Sequence, residues 1–245
     1  MTEKAAFRMR LAERTAEVRP IYVEVRELCR DYLVPPEGDA DITADIAPED
    51  ICREEAEAAR QGQGVIPLAR LETSAVLRKI AAAMPQFDTF LMHGTIISTA
   101  GQGYMITAPS GTGKSTRARL WADHIPGSLI VNGDKPFLNV GEDGVTAFGT
   151  PWCGKEGWNV NTSVPLRAIF ILERSENGNF VDRLSFGEAF PALFRQTYRP
   201  DGADERRKTL SLLQAMAQKV NIYRFRSGPT PEAVKMAWDA GADGL

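Results

Sequence analysis

The first sixty residues carry two kinds of hydrophobic pattern. Short stretches in which apolar and polar positions alternate predict strands, and stretches whose apolar positions recur every three or four residues predict helices. The strands are expected at 7–11, 15–19 and 41–46, and the helices at 22–32 and 48–60. Residues 61–64, Gln-Gly-Gln-Gly, have the composition of a linker. We therefore expect a small α+β module over residues 1–62, followed by a larger domain over residues 66–245.

The pattern of the larger domain is that of an α/β protein. Amphipathic helices are expected at 68–84, 115–123, 186–198 and 204–219 and from Pro231 onward. Strands are expected at 89–92, 95–99, 103–107, 128–131, 137–140, 145–148, 166–172, 179–184 and 221–226, with 179–184 pairing with 166–172. Three of these strands follow one another before residue 108 with no helix between them. The order therefore departs from a doubly wound, Rossmann-like sheet, in which strands and helices alternate.

Composition and charge exclude several classes of protein. The chain is 43% hydrophobic and 25% charged, as in ordinary globular domains, and it has no apolar run long enough for a membrane span. A net charge of −3 gives no general reason to expect a nucleic acid or a membrane as partner. Three scattered cysteines and two histidines argue against a disulfide framework and against a zinc centre. Because residues 1–4 lack a signal-peptide pattern, we expect a cytoplasmic protein.

One segment has the composition of a phosphate-binding loop. Residues 107–116 read Thr-Ala-Pro-Ser-Gly-Thr-Gly-Lys-Ser-Thr and lie between a predicted strand and a predicted helix. Glycines allow successive N–H groups to face phosphate oxygens, and the helix N-terminus adds positive charge. In this Walker A pattern Lys114 reaches the β- and γ-phosphates and Ser115 binds Mg²⁺, although Ala108 stands where glycine is usual. The nucleotide-binding residues are predicted to be Ser110, Gly111, Thr112, Gly113, Lys114, Ser115 and Thr116.

Four segments, in chain order, resemble the catalytic domain of the HPr serine kinase/phosphorylase family. They are Leu91-Met92-His93-Gly94, Ser110-Gly111-Thr112-Gly113-Lys114-Ser115, Asn132-Gly133-Asp134-Lys135-Pro136 and Gly149-Thr150-Pro151-Trp152. The segment Gln196-Thr197-Tyr198-Arg199-Pro200 resembles an uncharacterised bacterial branch of these kinase-like relatives. The resemblance covers residues 70–240. It implies an α/β P-loop fold like that of ATP-type phosphoenolpyruvate carboxykinase, with a mixed sheet core and flanking helices, and it makes a homo-oligomer an expectation.

The resemblance also implies roles for particular residues. The histidine that matches His93 lies near the transferred phosphate in the family, and Asp134 is expected beside the loop, where its carboxylate can hold Mg²⁺. Relatives that phosphorylate serine carry two consecutive aspartates here, and the first accepts the proton of the hydroxyl, whereas this chain has Gly133. Three explanations remain open: Asp134 fills both roles, another residue is the base, or phosphoryl transfer is lost. Glu156 is the candidate for a substitute base.

The segment 149–161 and a group of arginines supply weaker candidates. In the segment, Lys155 is a candidate for neutralising a phosphate, and Trp152 and Trp158 either stack on a ligand or cover the core. Arginines near helix ends are candidate phosphate contacts because a guanidinium matches phosphate oxygens. These arginines are Arg195, Arg199 and Arg206.

The sequence thus predicts a kinase that uses Mg²⁺ and ATP to phosphorylate a hydroxyl group of a protein, a peptide or a small molecule. GTP or pyrophosphate as the donor stays open, and HPr itself is a weaker expectation for the acceptor. A non-catalytic nucleotide-binding sensor or partner protein is the alternative, which Gly133 favours. A carboxykinase-type enzyme is a third candidate, and it is disfavoured because such enzymes are much longer than this chain. The catalytic candidates are His93, Asp134, Lys114 and Glu156, and the metal ligands are Ser115 and Asp134.

Overall fold

The computed structural model describes residues 6–243 and divides into two compact units, one ending at Met84 and the other beginning at Pro85. In the first unit, strands β1 (Phe7–Leu11) and β2 (Arg14–Arg19) form an antiparallel hairpin. Helix α1 (Glu24–Leu28), a 3-10 turn (Arg30–Tyr32), β3 (Leu33–Val34) and β4 (Ile42–Asp45) follow. Helices α2 (Pro48–Arg60) and α3 (Leu68–Ala83) complete the unit. The sheet order is β3-β1-β2-β4, with β4 parallel to β2.

The boundary between the units lies after α3, not in the predicted linker at 61–64. Helix α3 packs against α1, α2 and β4, and it buries apolar side chains that include Leu71, Val76 and Ile80. The fully buried carboxylate of Glu72 also accepts hydrogen bonds from the backbone N–H groups of Ile21 and Tyr22, the latter at 2.8 Å. Apolar spacing predicts that a helix has a buried face, but it does not say which sheet covers that face.

The second unit, as far as residue 243, contains nine strands and four helices. It opens with a 3-10 turn (Met84–Phe87) that spans the boundary, and its first elements are β5 (Thr89–Leu91), β6 (Thr95–Thr99), β7 (Gln102–Thr107), α4 (Lys114–His124), β8 (Leu129–Asn132), β9 (Phe137–Val140) and β10 (Val145–Phe148). The remaining elements are β11 (Ser163–Arg174), β12 (Phe180–Arg183), α5 (Phe186–Gln196), α6 (Ala203–Lys219), β13 (Asn221–Ser227) and α7 (Pro231–Asp243). The protein is therefore a mixed α/β protein, and no helix within residues 6–243 is long and apolar enough to cross a bilayer.

The long strand β11 organises the sheet of the second unit. Its first residues pair antiparallel with β10, and from Leu166 onward it pairs in parallel with β7. The main order is β5-β9-β10-β11-β7-β6-β8, and β13 pairs in parallel with β11 on its other edge. Residues 179–184 were predicted to pair with 166–172. This pairing is wrong, because β13 occupies that edge of β11 and β12 pairs with β13 instead.

Apolar side chains cover both faces of this sheet. On one face, Met105 and Ile169 belong to a cluster with residues of α5 and α6. On the other face, Tyr104, Ile106 and Phe170 belong to a cluster with residues of α4 and α7. Strands buried on both faces read as continuous apolar runs, as residues 168–172 do. Because helices cover both faces of the sheet, polar side chains collect at the ends of its strands.

Candidate functional site

Three of the chain segments that carry predicted site residues lie at one end of the strands: His93, the loop 110–116 and Asp134. Strands β7, β11 and β13 are parallel, so Thr107, Arg174 and Ser227 end them at the same edge. Strand β6 runs antiparallel to β7 and begins there, just after His93, and β8 ends there, just before Asp134. The order β8-β6-β7-β11-β13 therefore places His93 and Asp134 on one side of the segment that follows β7, and Arg174 on the other side.

The segment between β7 and α4 is a glycine loop, residues 108–113, whose backbone turns sharply. Gly111 and Gly113 have φ angles of 79° and 110°, a region that side chains with a Cβ rarely adopt. Gly113 caps the N-terminus of α4 with no side-chain hydrogen bond. Within the loop, the hydroxyl of Thr112 donates to the carbonyl of Pro109 at 2.9 Å. The first N–H groups of α4 have no intrahelical partner, which makes this position suitable for an anion.

Lys114 is buried at the foot of the loop, with 8% of its surface exposed. Its ammonium group donates to the carbonyls of Ala108 and Pro109 at 2.9 and 3.3 Å. Burial lowers the pKa of Lys114, and the nearby charge of Asp134 offsets part of that effect. Ser115 is partly exposed and Thr116 is exposed, both in the first turn of α4. The lysine and the two hydroxyl residues therefore all lie at the helix end where they were predicted.

His93 and Asp134 form a hydrogen-bonded pair. His93 Nε2 lies 3.0 Å from Asp134 Oδ1, and His93 Nδ1 lies 2.8 Å from Oε1 of Gln196 in α5. An imidazolium donates to both oxygens. A neutral imidazole keeps both bonds when the Gln196 amide turns round and its NH₂ group donates to Nδ1. The sequence did not indicate Gln196 as a site residue, since it lies 103 positions from His93.

Asp134 is held in place by its backbone and by Asn132. The side chain of Asn132 is fully buried, and its oxygen accepts from the N–H groups of Asp134 and Lys135 at 2.9 and 2.8 Å. The Asp134 carbonyl accepts from the N–H of Gly94 at 2.8 Å. Burial raises the pKa of the Asp134 carboxyl, but the hydrogen bond from His93 and the charges of Lys135 and Lys114 outweigh burial and hold it below 3.8. The carboxyl is therefore ionised at neutral pH.

Backbone atoms of neighbouring residues enclose Gly133, which stands where the resemblance implies an aspartate. A Cβ on Gly133 would lie 2.6 Å from the carbonyl oxygen of Cys153, closer than real Cβ atoms come to a backbone atom. The N–H of Gly133 donates to the carbonyl of Trp158 at 2.9 Å, and the N–H of Lys135 donates to that of Trp152 at 3.2 Å. The segment 152–158 thus lies directly against the turn that carries Asp134. Gly133 is required by this contact.

The other candidates of the segment 149–161 make contacts of their own. Glu156 lies in the turn over residues 154–157, 3.9 Å from the ammonium of Lys155, and it makes no hydrogen bond to His93 or Asp134 within the described chain. Trp152 is buried, and the ring of Trp158 lies 5.2 Å from the guanidinium carbon of Arg119. Glu156 is therefore not hydrogen-bonded to the His93–Asp134 pair, although Gly154 of the same turn lies against the Asp134 side chain. The tryptophans are used in packing.

The arginines singled out in the sequence also have structural partners. Arg199 donates to the carbonyls of Phe194 and Thr197 at 2.8 and 3.2 Å, and Arg206 donates to the carbonyl of Pro200 at 3.0 Å. Arg195 is exposed on α5. Two other arginines, Arg117 of α4 and Arg174 of β11, contact the region of the glycine loop instead. The only sequence signal for Arg117 is its spacing of one helical turn from Lys114, and Arg174 has none.

Mg²⁺ fits this edge only as a metal shared with phosphates. Among the residues that the structure describes, no group of three or more His, Cys, Asp or Glu side chains could hold a metal ion. Mg²⁺ is commonly bound through one or two protein oxygens together with substrate phosphates and waters. The partly exposed hydroxyl of Ser115 and the ionised carboxylate of Asp134 are oxygens of the kind that such a site uses.

Comparisons with known proteins find similarity in structure but not in sequence. No protein-family model and no curated protein sequence matches this chain. Among solved structures, the HPr(Ser) kinase/phosphatase from Coxiella burnetii is similar, with 10% sequence identity and a TM-score of 0.36. The match covers 63% of this chain and 95% of that chain. A similarity of this size says nothing about activity.

Proposed function

We propose that the protein is a Mg²⁺- and nucleotide-dependent phosphotransferase that acts on a hydroxyl acceptor. The observation that supports this most is the placement of the ionised Asp134, hydrogen-bonded to His93, beside a glycine loop with a buried lysine. A loop that only binds phosphate does not need an oriented carboxylate next to it. A phosphotransferase does, because it must position an attacking oxygen and neutralise charge on the transferred group.

In this proposal the loop and the first turn of α4 hold the phosphates. The N–H groups of residues 111–115 face the phosphate oxygens, and Lys114 exchanges its bonds to the Ala108 and Pro109 carbonyls for the β- and γ-phosphates. Mg²⁺, held by Ser115 and Asp134 together with phosphate oxygens, supplies charge neutralisation when it is bound. The exchange is inexpensive for Lys114, since its present partners are uncharged carbonyls.

Asp134 is the group that we assign to the acceptor proton. Gly133 leaves no space for a second carboxylate, and Glu156, 3.9 Å from Lys155, makes no hydrogen bond to either residue of the pair within the described chain. The acceptor hydroxyl gives its proton to the Asp134 carboxylate, its oxygen forms a bond to the γ-phosphorus, and the bond from that phosphorus to the bridging β-oxygen breaks. His93 donates a hydrogen bond to Asp134 Oδ1 and so orients the carboxylate. Gln196 in turn orients the imidazole.

A nucleotide-binding protein without transfer is the second candidate, and one observation favours it. The carbonyl of Cys153 fills the space where relatives that phosphorylate serine carry their first aspartate. A chain that has lost the reaction can close this space at no loss of function. Such a protein needs Lys114 and the loop but has no use for the Asp134–His93–Gln196 chain of hydrogen bonds.

The deciding experiment measures ATP binding and product formation separately. The wild-type protein is given Mg²⁺ and radiolabelled ATP with cell extract, and in parallel with a panel of hydroxyl-bearing metabolites and serine peptides. Lys114→Ala, Asp134→Asn and the exposed α7 control Lys235→Ala are compared with it. We expect a phosphorylated product from the wild type and from the control, with Asp134→Asn retaining ATP binding and losing transfer by about 10²–10⁴-fold. Tight ATP binding with no labelled product from any acceptor favours the second candidate.

A further inference from the structure

Three cationic side chains meet at the glycine loop, and their hydrogen bonds end on neutral oxygens. Lys114 and Arg117 are 8% and 4% exposed, and Arg174 is exposed at the end of β11. In the part of the chain that the structure describes, none of the three makes an ion pair. Their hydrogen bonds end on backbone carbonyls or on Ser227: Lys114 on Ala108 and Pro109, Arg117 on Ser227, and Arg174 on Gly111 and Thr112.

Buried cations of this kind are normally paired. Removing a charge from water is costly, and proteins usually compensate a buried charge with an opposite one. Burial lowers the pKa of Arg117, and the positive charge of Arg174 adds to the effect. Burial lowers the pKa of Lys114 in the same way. Asp134 offsets only part of this effect on Lys114, so within residues 6–243 three cations at this edge share one nearby carboxylate, and an anion with more than one negative charge would complement them.

The two arginines lie on the side of the loop opposite to Asp134. Arg117 Nη2 donates to the carbonyl of Ser227, the last residue of β13, at 2.6 Å, and its Nη1 lies against Gly113 where a side chain would be. Arg174 donates through Nε to the carbonyl of Thr112 at 3.1 Å and through Nη2 to that of Gly111. Both guanidinium groups thus line the β11–β13 side of the loop. His93 and Asp134 line its β8–β6 side.

The geometry points to a donor that crosses the loop: its terminal phosphate lies toward Asp134, and its inner phosphates and nucleoside lie toward Arg174 and Arg117. This inference rests on the proposed function and deepens it, because it assigns a nucleoside polyphosphate, and not pyrophosphate, as the donor. Pyrophosphate has two phosphates, which Lys114 and the loop N–H groups satisfy. A nucleoside triphosphate has a third phosphate for the arginines. A guanidinium suits this task because its planar fork binds two phosphate oxygens at once.

The test compares two ligands across matched variants. Dissociation constants for Mg-ATP and for Mg-pyrophosphate are measured by calorimetry with the full chain, as wild type, Arg174→Gln, Arg174→Lys, Lys114→Ala and the control Arg183→Gln. Arg183 is a suitable control because it is exposed on β12 and donates one hydrogen bond to a side chain, that of Asn221, at 2.7 Å. Unfolding curves of each variant verify that it is folded.

The expected result is a selective loss. Arg174→Gln weakens ATP binding roughly tenfold or more, the size expected for one hydrogen bond to a charged group. It changes pyrophosphate binding by less than about twofold, as does the remote control for either ligand. Arg174→Lys, which keeps the charge but not the fork, lies between the wild type and Arg174→Gln for ATP. Lys114→Ala weakens both ligands.

Other outcomes separate this inference from the proposed function. If Arg174→Gln weakens ATP and pyrophosphate equally, Arg174 only maintains the shape of the loop through Gly111 and Thr112, and the inference is wrong while the function stands. If the wild type binds pyrophosphate as tightly as ATP, the arginines do not select the donor, and the inference is again wrong. If the wild type binds neither ligand, the proposed function fails and the inference falls with it.

Discussion

A charged cluster of the first unit and the glycine loop of the second unit differ in how their cations are paired. In the first unit, Arg78 is bonded to Asp50 at 3.1 Å and to Glu54 at 2.6 Å, and Lys79 is bonded to Asp50 at 2.7 Å. In the second unit, Lys114 and Arg117 are more deeply buried than these residues, yet their hydrogen bonds end on neutral oxygens. The first unit supplies its own counter-charges. At the loop edge of the second unit, the proposed function has a ligand supply them.

This difference separates stabilising charges from charges kept for binding. Ion pairs that are complete within the chain contribute to folding and are lost when one partner is removed. Cations without a carboxylate contribute little or oppose folding until an anion arrives, and then they contribute to binding. The same residue types therefore predict opposite effects of substitution in the two units, and each effect can be measured.

The largest expected effect is the stabilisation of the protein by its ligand. Mg-ATP at one hundred times its dissociation constant should raise the free energy of unfolding by about 2.7 kcal/mol, since it binds the folded state only. Thermal unfolding with and without Mg-ATP measures this gain. Lys114→Ala should unfold at about the same temperature as the wild type without ligand and should show no gain with it. A gain in Lys114→Ala equal to that of the wild type would contradict the role of Lys114.

Restoring the missing aspartate should destabilise the fold. Gly133→Asp places a Cβ against the carbonyl of Cys153, and overpacking of this kind costs about 1–3 kcal/mol. Gly133→Ala carries the same Cβ without the charge and should lose a similar amount. Urea unfolding of both variants measures the loss. A stable Gly133→Asp protein with faster phosphoryl transfer would show instead that the segment 152–158 moves away easily.

A matched pair of substitutions tests the comparison of the two units directly. Arg78→Met leaves Asp50 and Glu54 without their arginine and should lower the free energy of unfolding by about 1–2 kcal/mol, because both bonds are charge-assisted and only partly exposed. Arg117→Met removes a buried cation that has no ion-pair partner among the described residues. It should change the free energy of unfolding far less in the absence of ligand. If Arg117→Met is the more damaging of the two, Arg117 has a structural role.

The smallest expected effect is a dependence of stability on pH. The folded state holds the pKa of Asp134 below its ordinary value of 3.8, so this carboxylate contributes stability above pH 3.8. The contribution should be lost as the pH falls through the lowered pKa. Unfolding curves of the wild type and Asp134→Asn at intervals from pH 7 to strongly acid conditions should therefore differ at neutral pH and converge below pH 3.8. A difference that does not change with pH would show that His93 does not stabilise the ionised form.

Short sequence patterns predicted most of the individual helices, strands and turns. Helix α3, helix α4 and strands β6 and β9 lie within a residue or two of their expected bounds. Helix α3 and the two strands have recognisable hydrophobic patterns, and α4 follows the phosphate-binding-loop pattern. Only part of the helix expected over 22–32 forms, as α1 and a 3-10 turn. Glycine at positions 111 and 113 indicated the tight loop, and both residues do adopt positive φ angles.

Contacts between distant segments could not be predicted from one sequence. Strand composition did not show that β13, rather than β12, pairs with β11. Nor did it show that α3 packs in the first unit. The partners of the site came from far along the chain: Gln196 beside His93, Ser227 beside Arg117 and Arg174 beside Gly111. Such residues have no local signature, because their role depends on where the sheet places them.

The position of β13 between β11 and β12 also constrains the order of events during synthesis. A chain leaving the ribosome can complete the first unit early, since that unit ends at Met84. Strand β11, by contrast, keeps one open edge from residue 168 onward until residues 221–227 have emerged, and Arg117 cannot reach Ser227 before then. Exposed edges of apolar strands invite pairing with other chains. The edge that carries the glycine loop is therefore among the last parts of the molecule to form, and a nascent chain halted before residue 221 leaves this strand edge open to misassembly.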